Sequence, residues 1–186
     1  MSVETLEQAV ASTGNVLKGV PPGQLDRPTP CASWNVSDLI NHIVGGQFFF
    51  AAMARGDQPT RSDPNFAAGD FVSAFEEGSA EAIAAFGAPG VMEKTLHLPF
   101  GDMPGGVFIN VASTDTFIHG WDLARATDQP SELDPQFALV LLDRVRPLLL
   151  PALRGPDGKA PFGPEQAASD AAGGTEKLAA FLGRTV

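Results

Sequence analysis

Residues 106–126, GVFINVASTDTFIHGWDLARA, decide how this chain folds and what its core can hold. Apolar residues recur there at intervals of three and four, which predicts one long helix from about Gly106 to Ala126. Asp115 and His119 are four residues apart, so they share one face of that helix at about 6 Å along its axis. The inner stripe reads Phe108, Val111, Asp115, Ile118, His119, Asp122 and Arg125. Polar groups on an apolar face are costly unless something satisfies them, so this helix predicts a site.

A second amphipathic helix is predicted from about Asn35 to Arg55. Asn35 is a good N-cap with Asp38 three residues later, and Gly56 suits the C-terminal stop. Its inner stripe is Leu39, His42, Ile43, Gly46, Phe50 and Met53. This stripe places the imidazole of His42 on the apolar side of the helix, far from His119 in sequence.

The other periodic segments complete a helical fold. Further helices are predicted at 3–20, 70–86, 135–149 and 176–182, with a loop through Pro59 and Pro64 and an extended arm at 91–100. In the arm, Leu96 and Leu98 alternate with Thr95 and His97, and the helix over 135–149 has Asp134 as N-cap and Pro135 at its first position. On the long helix, Trp121 points to nearly the opposite side from His119. These elements indicate an all-α chain: a four-helix bundle with a short extended arm and an irregular C-terminal tail. We expect residues 1–150 to form a metal-binding helical bundle, and residues 151–186 to form an extension whose short helix packs on the same domain.

Composition excludes several classes of function. Twelve basic residues against 22 acidic ones give a formal charge of −10, which makes nucleic acid a poor partner. No apolar run approaches the roughly 20 residues that span a bilayer, and the N-terminus lacks the pattern of a signal peptide. We therefore expect a cytoplasmic protein without a membrane partner. The single cysteine, Cys31, excludes an internal disulfide and a cysteine-rich zinc site.

Two of the chain's three histidines lie on inward helix faces, and together with Asp115 they predict a metal site. Two imidazoles and one carboxylate suit Zn²⁺ with an open fourth position, or a similar ion such as nickel. The same set holds Fe(II) in non-haem oxygenases, but mainly on β scaffolds, so a helical frame favours zinc. The alternatives are a core His42 bonded to the backbone and a surface pair of Asp115 with His119.

Two stretches of the chain resemble a known superfamily. They are Thr29-Pro-Cys-Ala-Ser-Trp-Asn-Val-Ser-Asp-Leu-Ile-Asn-His42 and Asp115-Thr-Phe-Ile-His-Gly-Trp-Asp-Leu-Ala-Arg-Ala-Thr127, with Phe100-Gly-Asp-Met-Pro104 and Phe181-Leu-Gly-Arg184 in support. They are similar to the DinB/YfiT-like metal-binding four-helix bundles, and in particular to the actinobacterial branch related to mycothiol-dependent maleylpyruvate isomerase.

The resemblance implies that His42, Asp115 and His119 are the metal ligands. The isomerase usually has glutamate where this chain has Asp115, and the shorter side chain bears on ion preference. The resemblance also implies a low-molecular-weight thiol as cosubstrate, activated by the ion to attack an electrophilic small molecule in an S-transferase or isomerase reaction. The sequence carries no larger C-terminal domain of the isomerase type, so we expect a substrate other than maleylpyruvate.

The sequence alone allows two interpretations of several residues. Asp122 either orients a ligand histidine or pairs with Arg125, and Arg125 is also a candidate anchor for a substrate carboxylate. Cys31 is either a packed loop residue or the site of a mixed disulfide, and His97 either faces solvent or gates the site. The pair Gly45-Gly46 predicts a close helix approach.

The protein as a whole also has rival interpretations. It is either the enzyme described above, a non-catalytic metal-binding or stress-response module, or a helical scaffold without metal. The run Phe48–Phe50 offers more apolar surface than one helix face buries, which leaves room for a homodimer.

Overall fold

The computed structural model of the chain describes residues 3–58, 65–156, 159–160 and 162–186. Its helices and strands, in chain order, are α1 Glu4–Lys18, α2 Val36–Arg55, α3 Phe71–Gly87, β1 Thr95–Leu98, β2 Gly101–Pro104, α4 Gly105–Ala126, α5 Pro135–Val145 and α6 Gly174–Phe181. Short 3₁₀ turns occur at Phe66–Ala68 and Pro151–Leu153. In the ranges described, no helix has both the length and the hydrophobicity to traverse a membrane. The loop predicted through Pro59 and Pro64 lies outside the described residues.

The ends of α2 follow from local sequence. The Asn35 side chain accepts a hydrogen bond from the Asp38 backbone at 2.9 Å, and the Asp38 carboxylate accepts one from the Asn35 backbone at 3.1 Å. Gly56 ends the helix at φ 86°, a left-handed conformation that glycine adopts without steric cost. The predicted capping box and stop are therefore confirmed. They set where α2 begins and ends.

Helix α4 is the most buried element, and it packs mainly against α1 while also contacting α2 and α5. The Thr13 hydroxyl of α1 donates to the Thr116 carbonyl at 2.8 Å, and Gly120 lies so near Thr13 that a Cβ there would clash. Trp121 turns away from His119 into the cluster formed with α5 and α6, as its position on the helix predicted. Close packing on both sides holds α4 in one orientation.

The predicted extended arm forms a β-hairpin, so the chain is mostly helical rather than all-α. Strand β1 pairs antiparallel with β2, from Thr95 opposite Pro104 to Leu98 opposite Gly101. The turn between them consists of Pro99 and Phe100. Leu96 and Leu98 point into the core while Thr95 and His97 face outward, which confirms the predicted alternation.

The C-terminal segment returns to the helices. Helix α5 begins at the predicted Asp134 cap and Pro135, and it ends at Val145, before Pro147. Helix α6 packs on α5 and α4 through Leu178 and Phe181. The Arg154 guanidinium lies 4.7 Å from the centre of the Phe181 ring and donates to the Phe181 carbonyl at 2.8 Å. These contacts anchor the irregular tail to the helical core.

Most of the surface of the Phe48–Phe50 run is used within the chain. Phe48 stacks on Phe66 with ring centroids 5.8 Å apart, and Phe50 is buried against Phe108 at 5.8 Å. Phe49 also contacts Phe108, at 6.4 Å. The surplus of apolar surface on which the homodimer prediction rested is thus largely consumed by intrachain packing, and dimerisation stays a prediction.

Candidate metal centre

The three predicted ligands converge at one point between α2 and α4. His42 comes from α2, and Asp115 and His119 come from successive turns of α4. The Nε2 atom of His42 lies 3.6 Å from one carboxylate oxygen of Asp115, and Nε2 of His119 lies 3.5 Å from the other. One ligand atom from each of the three residues can be chosen so that all lie within 4.8 Å of one another. The structure therefore brings His42 to a pair of residues that lie 73 and 77 positions further along the chain.

The spacing and the unmet valences of this trio fit a divalent ion. Ligand atoms at about 2.0–2.1 Å from a tetrahedral ion are about 3.3 Å apart, close to the separations of 3.5 and 3.6 Å. Nε2 of His42 is buried and has no hydrogen-bond partner among the residues that the structure describes. Buried polar atoms are rarely left unpaired, so this nitrogen lacks something that an ion supplies. The backbone-bonded His42 considered as an alternative finds no support at this atom.

Charge is concentrated in the trio. Burial by itself disfavours the ionised carboxyl of Asp115, but the neighbouring His119 and His42 hold its pKa well below the usual range. Burial likewise opposes the imidazolium of His119, yet Asp115, Asp122 and Cys31 hold its pKa well above 6.5. Without an ion, a proton on His119 thus neutralises part of the negative charge. Metal ligation requires neutral imidazole, so a bound ion would supply the positive charge that this proton otherwise provides.

The loop before α2 places an aromatic ring against both imidazoles. The Thr29 hydroxyl donates to the Trp34 carbonyl at 2.9 Å and accepts from the Cys31 backbone at 3.1 Å, which ties the loop into a compact turn. The centroid of the Trp34 ring lies 4.6 Å from that of His42 and 5.7 Å from that of His119. This packing restricts the rotation of both rings and keeps water from one side of the trio.

The other nitrogen of His119 is held by a buried ion pair. Nδ1 lies 2.9 Å from an oxygen of Asp122, which is completely buried. The guanidinium of Arg184 donates hydrogen bonds to both oxygens of the same carboxylate, at 2.8 and 3.2 Å, in a bidentate geometry. Burial disfavours the charged carboxyl, but Arg184 and His119 keep the pKa of Asp122 well below its usual range. Asp122 stays ionised, accepts the Nδ1 proton and leaves Nε2 to face Asp115 and His42.

Cys31 completes a second group of three conceivable ligands, with His119 and Asp122. Its Sγ lies 3.3 Å from Asp122 and 3.9 Å from Nδ1 of His119. Arg184 is 3.8 Å from the same sulfur, so a cation bound there would meet a fixed positive charge. Both oxygens of Asp122 are also already engaged. This second group is therefore less suited to an ion than the first.

Arg125 is not where the sequence predicted it. It lies on the exposed face of α4, with its guanidinium 5.6 Å from the centre of the Trp121 ring. The predicted stripe extended the 3-4 spacing one step too far, and Arg125 consequently neither pairs with Asp122 nor lies at the trio. His97 is 81% exposed and pairs with Asp102 on the hairpin at 3.0 Å. Its solvent-facing interpretation is confirmed.

Arg184 is the residue that sequence reasoning missed. The motif Phe181-Leu-Gly-Arg184 supported the family resemblance, but it did not predict that Arg184 contacts Asp122. Gly183 has φ 96°, and a Cβ there would fall 2.6 Å from Gly163. Only glycine fits this tight crossing, which turns the chain after α6 and sends Arg184 into the core. No spacing rule connects residue 184 with residue 122, because their contact depends on tertiary packing.

An open cleft of about 440 Å³ lies beside the trio. His42 and Asp115 form part of its wall, and the hairpin contributes Phe100. Gly45 and Gly46 line it as well. A Cβ on Gly46 would meet Phe50 and Asp115 at ordinary distances of 3.6 and 3.9 Å, so the predicted close helix approach is wrong at this pair. The glycines leave open space beside the candidate ion.

Comparisons with known proteins find one family model and two relatives. The family model described as the mycothiol maleylpyruvate isomerase N-terminal domain matches residues 6–124. Two uncharacterized proteins of Mycobacterium tuberculosis, MT0763 of strain CDC 1551 and Rv0738 of strain H37Rv, are each 42% identical to the chain over 173 residues. The alignments cover 92% of this chain and 91% of each relative. No solved structure matches the chain. The match spans both helices that carry the trio.

Proposed function

This chain belongs to the family of mycothiol maleylpyruvate isomerase N-terminal domains, and from that premise we propose that it is a metal- and thiol-dependent S-transferase or isomerase. The proposal includes a DinB/YfiT-like arrangement in which α1–α4 form the four-helix bundle of residues 1–150, with residues 151–186 as its extension. The observation that carries the proposal is the buried, unpaired Nε2 of His42, which lies beside a carboxylate and a second imidazole at the edge of a cleft.

Zinc is the ion that the ligand set favours, with nickel as the alternative. Two imidazoles and one carboxylate leave a fourth tetrahedral position open, which is the arrangement of catalytic rather than structural zinc. When bound, the ion would act as a Lewis acid that stabilises the thiolate form of a low-molecular-weight thiol. Asp115 supplies a negative charge that attracts a cation. The same charge repels an anionic thiolate when no ion is bound.

The residues behind the trio prepare it for this role. Asp122 accepts the Nδ1 proton of His119 and so presents Nε2 as a lone pair toward the ion. Arg184 holds Asp122 ionised and fixed from the C-terminal end of the chain. Trp34 packs on both imidazoles and limits the access of water. A fixed, drier site strengthens the electrostatic stabilisation of a thiolate.

The reaction itself is the attack of the thiolate on an electrophilic carbon of a substrate lying in the cleft. A carbon–sulfur bond forms, and its electron pair comes from the sulfur. In a transferase this bond is kept and the electrons displaced from carbon leave with the leaving group or take up a proton. In an isomerase the adduct rotates, the carbon–sulfur bond breaks again, and the thiol is released.

Cobalt substitution tests the proposal, because thiolate coordination to Co²⁺ produces a charge-transfer band that nitrogen and oxygen ligands do not. The experiment uses Cys31→Ser protein, so that any new band comes from added thiol. We expect mycothiol, or a simple thiol such as N-acetylcysteine, to produce the band. The same titration on Cys31→Ser with His42→Ala should produce none. A cobalt-loaded protein without a thiol band would contradict the enzyme and leave the non-catalytic metal-binding module.

A further inference from the structure

We infer that the cleft beside the trio binds an uncharged, largely apolar small molecule, and that the electrophile of this protein belongs to that class. The inference deepens the proposed function, since it concerns the ligand that would meet the activated thiol. It depends on the composition of the cleft wall and on the position of the trio within it. It does not depend on which ion the trio holds.

The cleft wall is aromatic and aliphatic where it leads away from the trio. Its lining includes Phe49 and Phe50 from α2, Val111 from α4 and Phe100 from the turn of the hairpin. Pockets for small molecules occupy about 300–1,000 Å³, so a volume of about 440 Å³ suits a compact ligand. Aromatic walls of this kind favour planar ligands through stacking and edge contacts.

Charge on the cleft wall disfavours anions. Among the described residues that line the cleft there is no lysine or arginine, and its polar members are Asn41, His42 and Asp115. A carboxylate ligand could reach an ion at the trio, but a second carboxylate would be desolvated among phenylalanines without a partner. The whole chain carries a formal charge of −10, which repels anions further. The wall therefore selects against dicarboxylates.

Phe100 is the part of the wall that is least explained by folding. Its side chain stands at the turn of the hairpin and is 60% exposed, although its ring centroid lies 6.5 Å from that of the buried Phe108. A large aromatic residue at a two-residue turn gains little from burial within the chain. A ligand in the cleft would cover the exposed part of the ring, which gives Phe100 a binding role.

A charge-switch experiment tests the inference on metal-free protein. The probes are 4-nitroanisole, which is neutral, and 4-nitrobenzenesulfonate, its anionic counterpart, with binding measured by calorimetry or ligand-observed NMR. We expect wild type to prefer the neutral probe by about tenfold or more, since a buried anion lacks a partner. Phe100→Lys should shift the ratio of the two affinities by about tenfold toward the anion. Added salt should weaken that gain.

Leu150→Lys is the matched control, because Leu150 is also 60% exposed and does not line the cleft. It adds the same charge and should leave the preference unchanged. Gly46→Leu tests the location independently, since a side chain built into the cleft should reduce binding of the neutral probe by about tenfold or more. Circular dichroism of each variant shows whether the fold is kept.

The outcomes separate this inference from the proposed function. Equal or better binding of the anionic probe by wild type, or identical effects of Phe100→Lys and Leu150→Lys, would overturn the inference even if zinc and thiol bind as proposed. No binding of either probe would also overturn it. A neutral preference in a protein that never takes up metal would leave the cleft assignment standing and remove the enzymatic role.

Discussion

His119 lies between two groups, each of which places an aspartate beside one of its ring nitrogens, but only one of which leaves a buried atom without a hydrogen bond within the described ranges. On its Nε2 side lie Asp115 and His42, with a buried nitrogen that has no partner. On its Nδ1 side lies Asp122, whose two oxygens are engaged by Arg184 and by His119 itself. An aspartate beside a histidine therefore does not by itself indicate a metal site. We therefore propose the first group as the ion site, because its nitrogen has an unmet hydrogen-bonding valence, and the second group as its support.

The largest expected effect comes from removing a nitrogen of the unsatisfied group. His42→Ala and His119→Ala should each weaken zinc binding by more than about 100-fold, beyond the range typical for residues that only support a ligand. Each variant leaves two ligands, too few for a stable site. Zinc content after purification without chelator, followed by titration with a competing dye, measures the effect.

His97→Ala is the control for these variants, because it removes the third histidine from an exposed position on the hairpin. It should bind zinc as wild type does. Loss of zinc in His97→Ala, or its retention in His42→Ala, would show that the comparison of the two groups has located the wrong site.

The next effect concerns the supporting group. Arg184→Ala leaves the carboxylate of Asp122 buried without its main counter-charge, which typically costs about 3–5 kcal/mol of folding free energy. We expect zinc affinity to fall by about 10–100-fold as the hold on His119 loosens. Denaturant unfolding and dye competition measure the two quantities. Arg184→Lys should recover part of both, because it keeps the charge and loses the fork.

Arg125→Ala provides the comparison for Arg184, since Arg125 is an exposed arginine of α4 and touches neither group. Its stability should change by less than about 0.5 kcal/mol. If Arg125→Ala weakens zinc binding as much as Arg184→Ala does, the buried ion pair is not what supports His119.

A third prediction uses the proton that an ion must displace. The pKa of His119 in the metal-free protein is raised above 6.5, so its imidazole is still protonated where an ordinary histidine is largely neutral. Zinc affinity should therefore keep falling as pH is lowered from 8 to 6.5, by up to about tenfold per unit for one displaced proton. Calorimetry in buffers of different ionisation enthalpy counts the protons released. A flat profile over this range would contradict the raised pKa.

The smallest effect separates the two groups most sharply. Cys31→Ser removes the sulfur of the second group and should change zinc affinity by less than about threefold, which is about 0.6 kcal/mol. Zinc stoichiometry should stay at the wild-type value. A loss of zinc in this variant would make Cys31 a ligand and transfer the ion to the Nδ1 side of His119.

The sequence predicted the unsatisfied group and missed most of the satisfied one. His42, Asp115 and His119 lie on helices whose caps and periodicity are local, so their convergence could be expected from faces alone. Arg184 reaches Asp122 only because a glycine crossing turns the chain after α6, and no local pattern describes that path. The prediction for Arg125 was wrong for the opposite reason. It extended the regular spacing of the inner stripe to a position that is exposed.

The hairpin and the cleft show the same limit. The alternation of Leu96 and Leu98 predicted an extended arm, and the structure confirms it. The alternation does not predict how the arm packs on the helices. It therefore could not show that Phe100, at the turn, lines the same cleft as residues of α2. The two glycines of α2 predicted a close helix contact, whereas both line the cleft.

X-ray absorption of the zinc-loaded protein shows directly which group holds the ion, because zinc–sulfur and zinc–nitrogen bonds differ in length. Without added thiol, we predict a shell of nitrogen and oxygen atoms at about 2.0–2.2 Å and no sulfur. With thiol added, one sulfur should appear at about 2.3 Å, in wild type and in Cys31→Ser alike. A sulfur present before thiol is added and absent in Cys31→Ser would contradict the account, since the ion would then be held by the Cys31 group.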